Sequence, residues 1–362
     1  MHDTTLYWIW LSELAGLSLK KKRTLLAALG NPEQIFRASA TTVDDVLHGS
    51  GSSSSVAEGA KGFSLESSWK ARNLEIAETI LANNEKSSIM VLDATSPYYR
   101  HIYEADEKAP LVLYYRGRLC DPSIPVVGVV GSRACTSYGR LVTKAAVSDL
   151  VGEGSIVASG LSFGIDALAH ETTLACGGIT YAFLPCGLHK AQPASHADLM
   201  ERIADTGAVI TPYAYGREAL RFRFIGRNDL LASWCNTLLV IEAGMKSGSM
   251  HTARSALSKA KQVLAVPNSL LEPKSSGTNL LLSEGAHAYL NDRLVVNDSF
   301  VQTCSGEEVV AKALASRPLS TTELEAWVQI GDGPVMECLA SMELAGKVSF
   351  LSDGKWHLVG GL

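Results

Sequence analysis

Three short stretches of this chain place small or hydroxyl-bearing residues directly after an apolar run and before a helical pattern. They read Gly131-Ser132-Arg133, Ser159-Gly160-Leu161 and Lys246-Ser247-Gly248-Ser249. Such turns let backbone N–H groups approach an anion, and the N terminus of the following helix adds about half a unit of positive charge. Arg133 can make a forked guanidinium contact to a phosphate held by its turn, or a salt bridge to a structural carboxylate. Lys246 brings a point charge, and Ser247, Gly248, Ser249 and Thr252 bring a pliable backbone and hydroxyl donors at a helix start. The G-x-x-x-x-G-K-[ST] spacing of a nucleotide-hydrolysing loop is missing. Three turns along one sheet edge therefore suggest a phosphate-binding groove and not a single nucleotide pocket.

Two further groups of residues carry charge. Arg217, Arg221, Arg223 and Arg227 fall within eleven residues beside only Glu218. They form either a local phosphate-binding patch or a solvated charged loop. Arg227 and Asn228 stand just before an expected helix, where Arg can pair with phosphate and Asn can hydrogen-bond a base edge. Asp166 and His170 are four apart on the helix after the second turn and share one face. They can be an acid/base pair, two metal ligands or a structural hydrogen-bonded pair. No third His or Cys stands at a spacing that would complete a metal site, so the structural pair is the expectation.

The chain has 362 residues, 46% hydrophobic and 19% charged, with a net charge of −5. That composition excludes a disordered protein and gives room for two or three domains. The N terminus lacks the pattern of a secretory signal, and no apolar run reaches the roughly 18 residues a membrane span needs. Seven scattered cysteines without a C-x-x-C pair fit reduced thiols in a cytoplasmic protein.

The elements that must position these residues follow from periodicity. Residues 5–47 read as short helices, broken at Gly30-Asn31-Pro32, with Lys20-Lys21-Lys22-Arg23 as a solvated turn between two of them. Gly49 to Gly62 reads as a flexible connection. A helix near Leu74–Leu81 and extended segments at Ile89–Leu92 and Leu111–Tyr115 come next. Strands are expected at Val126–Val130, Ile156–Ala158, Thr180–Leu184, Ala208–Ile210, Thr237–Ile241 and Val263–Val266. Helices are expected at Gly139–Val151, Ile165–Leu174, Ala197–Ile203 and Met250–Ala260. This alternation gives an α/β fold with a doubly wound, mostly parallel sheet, whose ligands bind outside the carboxyl ends of the strands. Asn291–Ser305 reads as a linker. Helices at Glu307–Ala315, Thr321–Trp327 and Val335–Ala345, then a hairpin turning at Ser352-Asp353-Gly354, suggest a winged-helix-like end. With four basic and eight acidic residues from 305 onward, that end suits a protein contact better than DNA. The expected domains are residues 1–62, helical with a linker, 63–292, and 305–362.

The stretch VVGVVGSRACTSYG (126–139) resembles the GSR-x-x-T-x-YG signature of the DNA-processing protein A family, also called Smf. The resemblance continues through SGLSFGIDALAH (159–170), GGITYAFLPCGL (177–188), FIGRN (224–228), IEAGMKSGSMHTA (241–253), AVPNS (265–269) and GTNLLLSEGA (277–286). It implies an extended Rossmann-like domain that binds single-stranded DNA. It also implies a homodimer that helps load a RecA-type recombinase during natural transformation, with no cofactor and no firmly associated catalysis. The N-terminal helices are similar to the SAM or helix-hairpin-helix accessory domains of that family.

The departures from the pattern bear on affinity. Phe163 stands where the family usually has a basic residue, and Asp229 replaces the second Arg of its RNR. Ile225, Pro212 and Asn268 replace a usual Pro, Glu and Gly. One cation lost and one anion gained near the groove would weaken binding and its salt dependence, while Phe163 can stack on a base. The rival reading is a nucleotide-processing enzyme using Asp166 and His170. The PGG-x-GT-x-x-E signature of related nucleotide-cleaving enzymes is absent.

Overall fold

Short β-branched runs that are buried on both faces can only be accommodated in a parallel sheet covered by helices on each side. The structure, a computed structural model, describes residues 2–48, 69–290, 310–311, 313–314, 318–327 and 335–359. It forms two compact units, Met1–Tyr289 and Leu290–Leu362.

The first unit begins with helices α1 (His2–Glu13), α2 (Leu19–Leu29), α3 (Pro32–Arg37) and α4 (Ala40–His48), followed by α5 (Glu75–Lys86). Gly30 closes α2 at φ +90, and the Asn31 side chain accepts the Gln34 N–H to start α3. The basic run Lys20–Arg23 is not a solvated turn. It lies in the first turns of α2, where Lys22 is buried with Nζ 2.7 Å from the Ser12 carbonyl. The Arg23 guanidinium meets the carbonyls of Tyr103, Asp106 and Ala109 at 2.8–3.1 Å and lies over the Tyr103 ring. Helical phase, which the charge run hid, turns both cations inward.

Strands β1 (Met90–Asp93) and β2 (Val112–Gly117) enclose α6 (Arg100–Ala105). The wound series follows as β3 (Val126–Val130), α7 (Ser137–Gly152), β4 (Ile156–Ser159), α8 (Ile165–Ala175), β5 (Thr180–Phe183), α9 (Ala197–Thr206) and β6 (Ala208–Thr211). It closes with α10 (Arg221–Trp234), β7 (Thr237–Val240), α11 (Gly248–Ser258), β8 (Gln262–Ala265), α12 (Ser276–Ser283) and β9 (His287–Ala288). All the strands expected from the sequence form. Arg221 to Asn228, placed before an expected helix in the sequence, form instead the first half of α10.

The sheet order is β1-β2-β6-β5-β4-β3-β7-β8-β9, with β1/β2 and β2/β6 antiparallel and the pairs from β6 to β9 parallel. The chain steps outward from β3 to β6 and then returns through α10 to lay β7 on the free side of β3. The reversal between β3 and β7 is the point where ligands enter such sheets. One face buries Val126, Val130, Ala158, Phe183 and Trp234. The other buries Val112, Tyr114, Ala182 and Val209 in one cluster with Trp8, Trp10, Leu11 and Leu25 of the N-terminal helices. An Arg217–Glu13 ion pair at 2.5 Å joins α1 to the segment before α10.

In the second unit, α13 (Thr321–Trp327) and α14 (Val335–Leu344) precede a hairpin, β10 (Val348–Phe350) and β11 (Trp356–Leu358), to which Leu319 adds a bridge at Trp356. Leu314, Leu319, Leu324, Leu339, Met342, Val348 and Trp356 form its core. The expected connections at Gly49–Gly62 and Asn291–Ser305 lie outside the described residues, as does most of Glu307–Ala315.

Candidate nucleic-acid interface

The three turns singled out by residue type follow β4, β3 and β7, which are neighbours in the sheet, so their carboxyl ends open side by side. Hydrogen bonds between the turns fix them. The Ile165 N–H donates to the Ser132 carbonyl at 3.2 Å, and Ser249 Oγ donates to the Gly131 carbonyl at 2.9 Å. Those bonds consume acceptors and leave donors. The N–H groups of Ser132, Arg133 and Gly248 donate to no other described group.

Between the turns lies a cavity of about 580 Å³, walled on its fourth side by α10. It is lined by Gly131, Ser132, Arg133, Gly160, Asp166, Arg221, Arg227, Asn228, Ser247, Gly248, Ser249 and Thr252, all expected from the sequence. Helices α7 and α11 start at its edge, capped by Thr136 on the Gly139 N–H and Ser247 on the Ser249 N–H. Arg133 is exposed, its guanidinium 5.7 Å from the Phe224 ring, and Arg221 and Lys246 are exposed without an ion pair to any described residue. Free cations, helix N termini and unpaired N–H groups around one hollow are the chemistry that can hold an anion.

The floor of the cavity is a buried pair of opposite charges. Gly160 separates them: a Cβ placed there would sit 2.1 Å from Arg227 Nη1 and 2.5 Å from Asp166 Oδ2. Arg227 Nη1 donates to the Phe183 carbonyl at 2.8 Å, and the Ser162 N–H reaches Asp166 Oδ2 at 3.4 Å. Burial pushes the Asp166 carboxyl upward, opposed by the Arg227 charge and the Ser162 hydrogen bonds. Burial likewise lowers Arg227, opposed by Asp166.

Five expected residues do not line this cavity. Ser159 is fully buried and donates to the Val129 carbonyl at 2.6 Å, so it locks β4 to β3. His170 is fully buried between Thr180 Oγ1 at 2.7 Å and the Gly160 carbonyl at 3.3 Å, so it does not share the cavity wall with Asp166. Arg223 is bound to the Glu218 carbonyl and lies 5.1 Å from the Tyr213 ring. Lys246 is exposed beside the third turn. Phe163 is 51% exposed, with its ring edge-on to His196 at 4.8 Å.

Two acidic residues near the cavity are engaged elsewhere. Glu242, just after β7, is buried and accepts the Thr136 N–H at 2.9 Å. Asp229 does not line the cavity; it lies beside the second hollow and is bound to His251 at 3.2 Å and Ser255 at 2.6 Å on α11. The lining residues missed from sequence are Val130, Ala134, Ser162, Leu231 and Gly244. Leu231 falls one helical turn after Arg227, and running the helix through Arg227 places the two on one face. Ser162 directly follows the second marked turn, and Gly244 stands two residues before the third.

Among the described residues no three His, Cys, Asp or Glu side chains come together as metal ligands, and no helix is long and apolar enough to cross a membrane. The sequence pattern of the DNA recombination-mediator protein A family matches residues 90–299. That span holds the whole cavity. The chain belongs to this family. It is 36% identical to the DNA processing protein DprA of Streptococcus pneumoniae over 55% of this chain and 69% of that one. It is 33% identical to the putative DNA processing protein DprA of Mycobacterium tuberculosis over 69% of each chain. Among solved structures, the S. pneumoniae protein superposes with a TM-score of 0.68 at 26% identity, covering 81% of this chain and 98% of that one. DNA processing protein A from Helicobacter pylori, described for its single-stranded DNA binding mode, superposes at 0.52 and 26% identity, covering 59% of this chain and 96% of that one.

The buried imidazole of this family member gives a stability test. Burial pushes His170 down to about 4 from 6.5, with the Gly160 carbonyl opposing and the Arg227 and His196 charges assisting. Between those values the unfolded chain binds a proton that the folded chain does not. Stability is therefore full above about pH 6.5 and falls as the pH drops toward 4, by up to about 3 kcal/mol. Asp166, whose carboxyl is raised, acts with the opposite sign, so the comparison is with His170→Gln. In that variant the loss of unfolding free energy between neutral pH and pH ~4.5 is expected to shrink by about 2–3 kcal/mol. Equal pH dependence in denaturant melts of the two proteins would contradict the burial.

Proposed function

We propose that this chain binds single-stranded DNA at the cavity between β3, β4, β7 and α10, acting as a recombination mediator and not as an enzyme. The observation that carries the reading is the cavity itself: unpaired N–H groups of Ser132, Arg133 and Gly248 beside the exposed cations Arg133 and Arg221. Backbone donors and mobile cations hold phosphates without reading sequence. The family membership and the H. pylori relative's single-stranded DNA binding mode support the same reading. In the rest of the proposal, a homodimer in the cytoplasm passes the strand to a RecA-type recombinase, and the acidic C-terminal unit is a winged-helix-like module that contacts a protein partner. Enzymatic use of Asp166 would need a partner in the cavity, and His170 faces Thr180 instead. Incubation with nucleoside monophosphates should release no free base.

The test is a salt titration with single- and double-stranded oligonucleotides. The single strand is expected to bind more tightly, and Arg133→Ala is expected to lower its log–log salt slope by about 0.7, one phosphate's share. Equal affinity for both forms would overturn the single-strand assignment. An unchanged slope in folded Arg133→Ala would remove Arg133 from the site.

A further inference from the structure

The first turn of α10 reads Arg221-Phe222-Arg223-Phe224-Ile225 and leaves large apolar groups in solvent. Phe222 is 64% exposed and Ile225 50%, and Leu220 just before them is 45%. One exposed apolar side chain is ordinary, but three within six residues on a charged segment mark a contact surface. Their direction follows from the helix. Arg221, Arg227, Asn228 and Leu231 line the cavity, whereas Gly226, Asp229, Leu230 and Ser233 line a separate hollow of about 300 Å³ against α2. At about 100° per residue, Ile225 falls between those two faces, one turn from Arg221, and Phe222 comes next round the helix on the side of the second hollow, so the two continue the line of Arg221 away from the cavity.

Arg223 does not cover this surface. Its guanidinium is bound to the Glu218 carbonyl and lies between the rings of Tyr213, at 5.1 Å, and Phe222, at 5.6 Å. Tyr213 Oη in turn donates to the Arg223 carbonyl at 3.0 Å. The Phe222 ring is thus supported from one side and presented to solvent on the other.

We infer that Phe222 and Ile225 form a base-stacking step, on which the single strand leaving the cavity lays its next bases. The inference rests on the reading of the cavity as the phosphate site. Charge complementarity names the occupant. Arg221 belongs both to the cavity wall and to the rim of the step, so phosphates drawn along it bring the neighbouring bases over Ile225 and Phe222. A polyanion with flat apolar faces fits a surface of alternating guanidinium and aromatic groups, and stacking on an aromatic ring tolerates every base.

The experiment measures binding of full-length protein to an oligothymidylate and to the same backbone with abasic sites, for the unaltered chain, Phe222→Leu, Phe222→Trp and Arg133→Ala. Phe222→Leu is expected to weaken oligothymidylate binding about tenfold, within the range of one lost stack, and to leave abasic binding and the salt slope unchanged. Phe222→Trp is expected to retain or exceed the original affinity. If Phe222→Leu binds both oligonucleotides as the unaltered chain does, or loses both equally, the step is wrong. If Arg133→Ala still lowers the salt slope in that case, the cavity reading stands alone. Absence of any single-strand binding by the unaltered chain would overturn both.

Discussion

Replacing Arg227 with methionine is expected to lower the unfolding free energy by about 3–5 kcal/mol, the usual cost of stranding one member of a buried charge pair. Arg227 is 4% exposed and Asp166 7%, on either side of Gly160. Without the guanidinium, the Asp166 carboxylate loses the charge that opposes its desolvation, and the Phe183 carbonyl loses its donor. Methionine has nearly the volume and flexibility of the removed stem, so packing alone does not account for such a loss. Two further measurements separate electrostatics from packing. Arg227→Met with Asp166→Asn should recover a good part of the loss in denaturant melts. The single variant should also regain stability as the pH falls, because a carboxyl with a raised pKa costs least to bury when protonated. Strictly additive costs for the two substitutions would show that the charges do not interact.

Gly164→Ala is expected to cost about 4 kcal/mol or more, in the range reserved for strain at a special backbone position. Gly164 has φ +77 and ψ −123, and a Cβ there would lie 2.3 Å from the Ser132 carbonyl oxygen and 2.6 Å from that of Arg133. Both are backbone atoms of the first turn, so no rotamer change relieves the contact. Gly154 supplies the control: it has the same φ of +77 with nothing within 4 Å of its Cβ position. Gly154→Ala should show only the conformational penalty, about 1–2 kcal/mol. The excess measures how closely the second turn is seated on the first, and folded Gly164→Ala protein should also bind single strands more weakly. Equal melting shifts for the two variants would contradict that seating.

The strands were legible because each is a brief β-branched run closed by small residues, and Val126–Val130 has no other plausible burial. What the sequence does not carry is lateral order. That the turns after β4, β3 and β7 are adjacent depends on the chain returning past β3, and nothing within any one turn announces it. Charge obscured helical phase twice. The run Lys20–Arg23 looks solvated until α2 turns Lys22 and Arg23 inward. The arginines at 217–227 look like a loop because the apolar side of α10 becomes regular only at Leu230, Leu231 and Trp234. The same phase decides Asp229, whose replacement of a usual arginine suggested repulsion in the groove. One position further round the helix than Asn228, it is spent on His251 and Ser255. His170 and Ser159 were misplaced for a simpler reason. A motif reports that residues matter without distinguishing those that face a ligand from those that hold the strand beneath it.

The shared core of the N-terminal helices and the sheet sets an order of events during synthesis. Trp8, Trp10, Leu11 and Leu25 leave the ribosome well before some of the residues packed with them, which include Val112, Tyr114 and Val209, and Glu13 finds Arg217 across 204 positions of chain. At roughly 5–20 residues per second, that interval is on the order of 10–40 seconds, during which the two tryptophans have only their local partners, such as Phe36 and Trp69 beside Trp10, and not the sheet. The N-terminal helices are therefore completed only when the far end of the sheet has been made, which ties two distant stretches of chain into one folding unit.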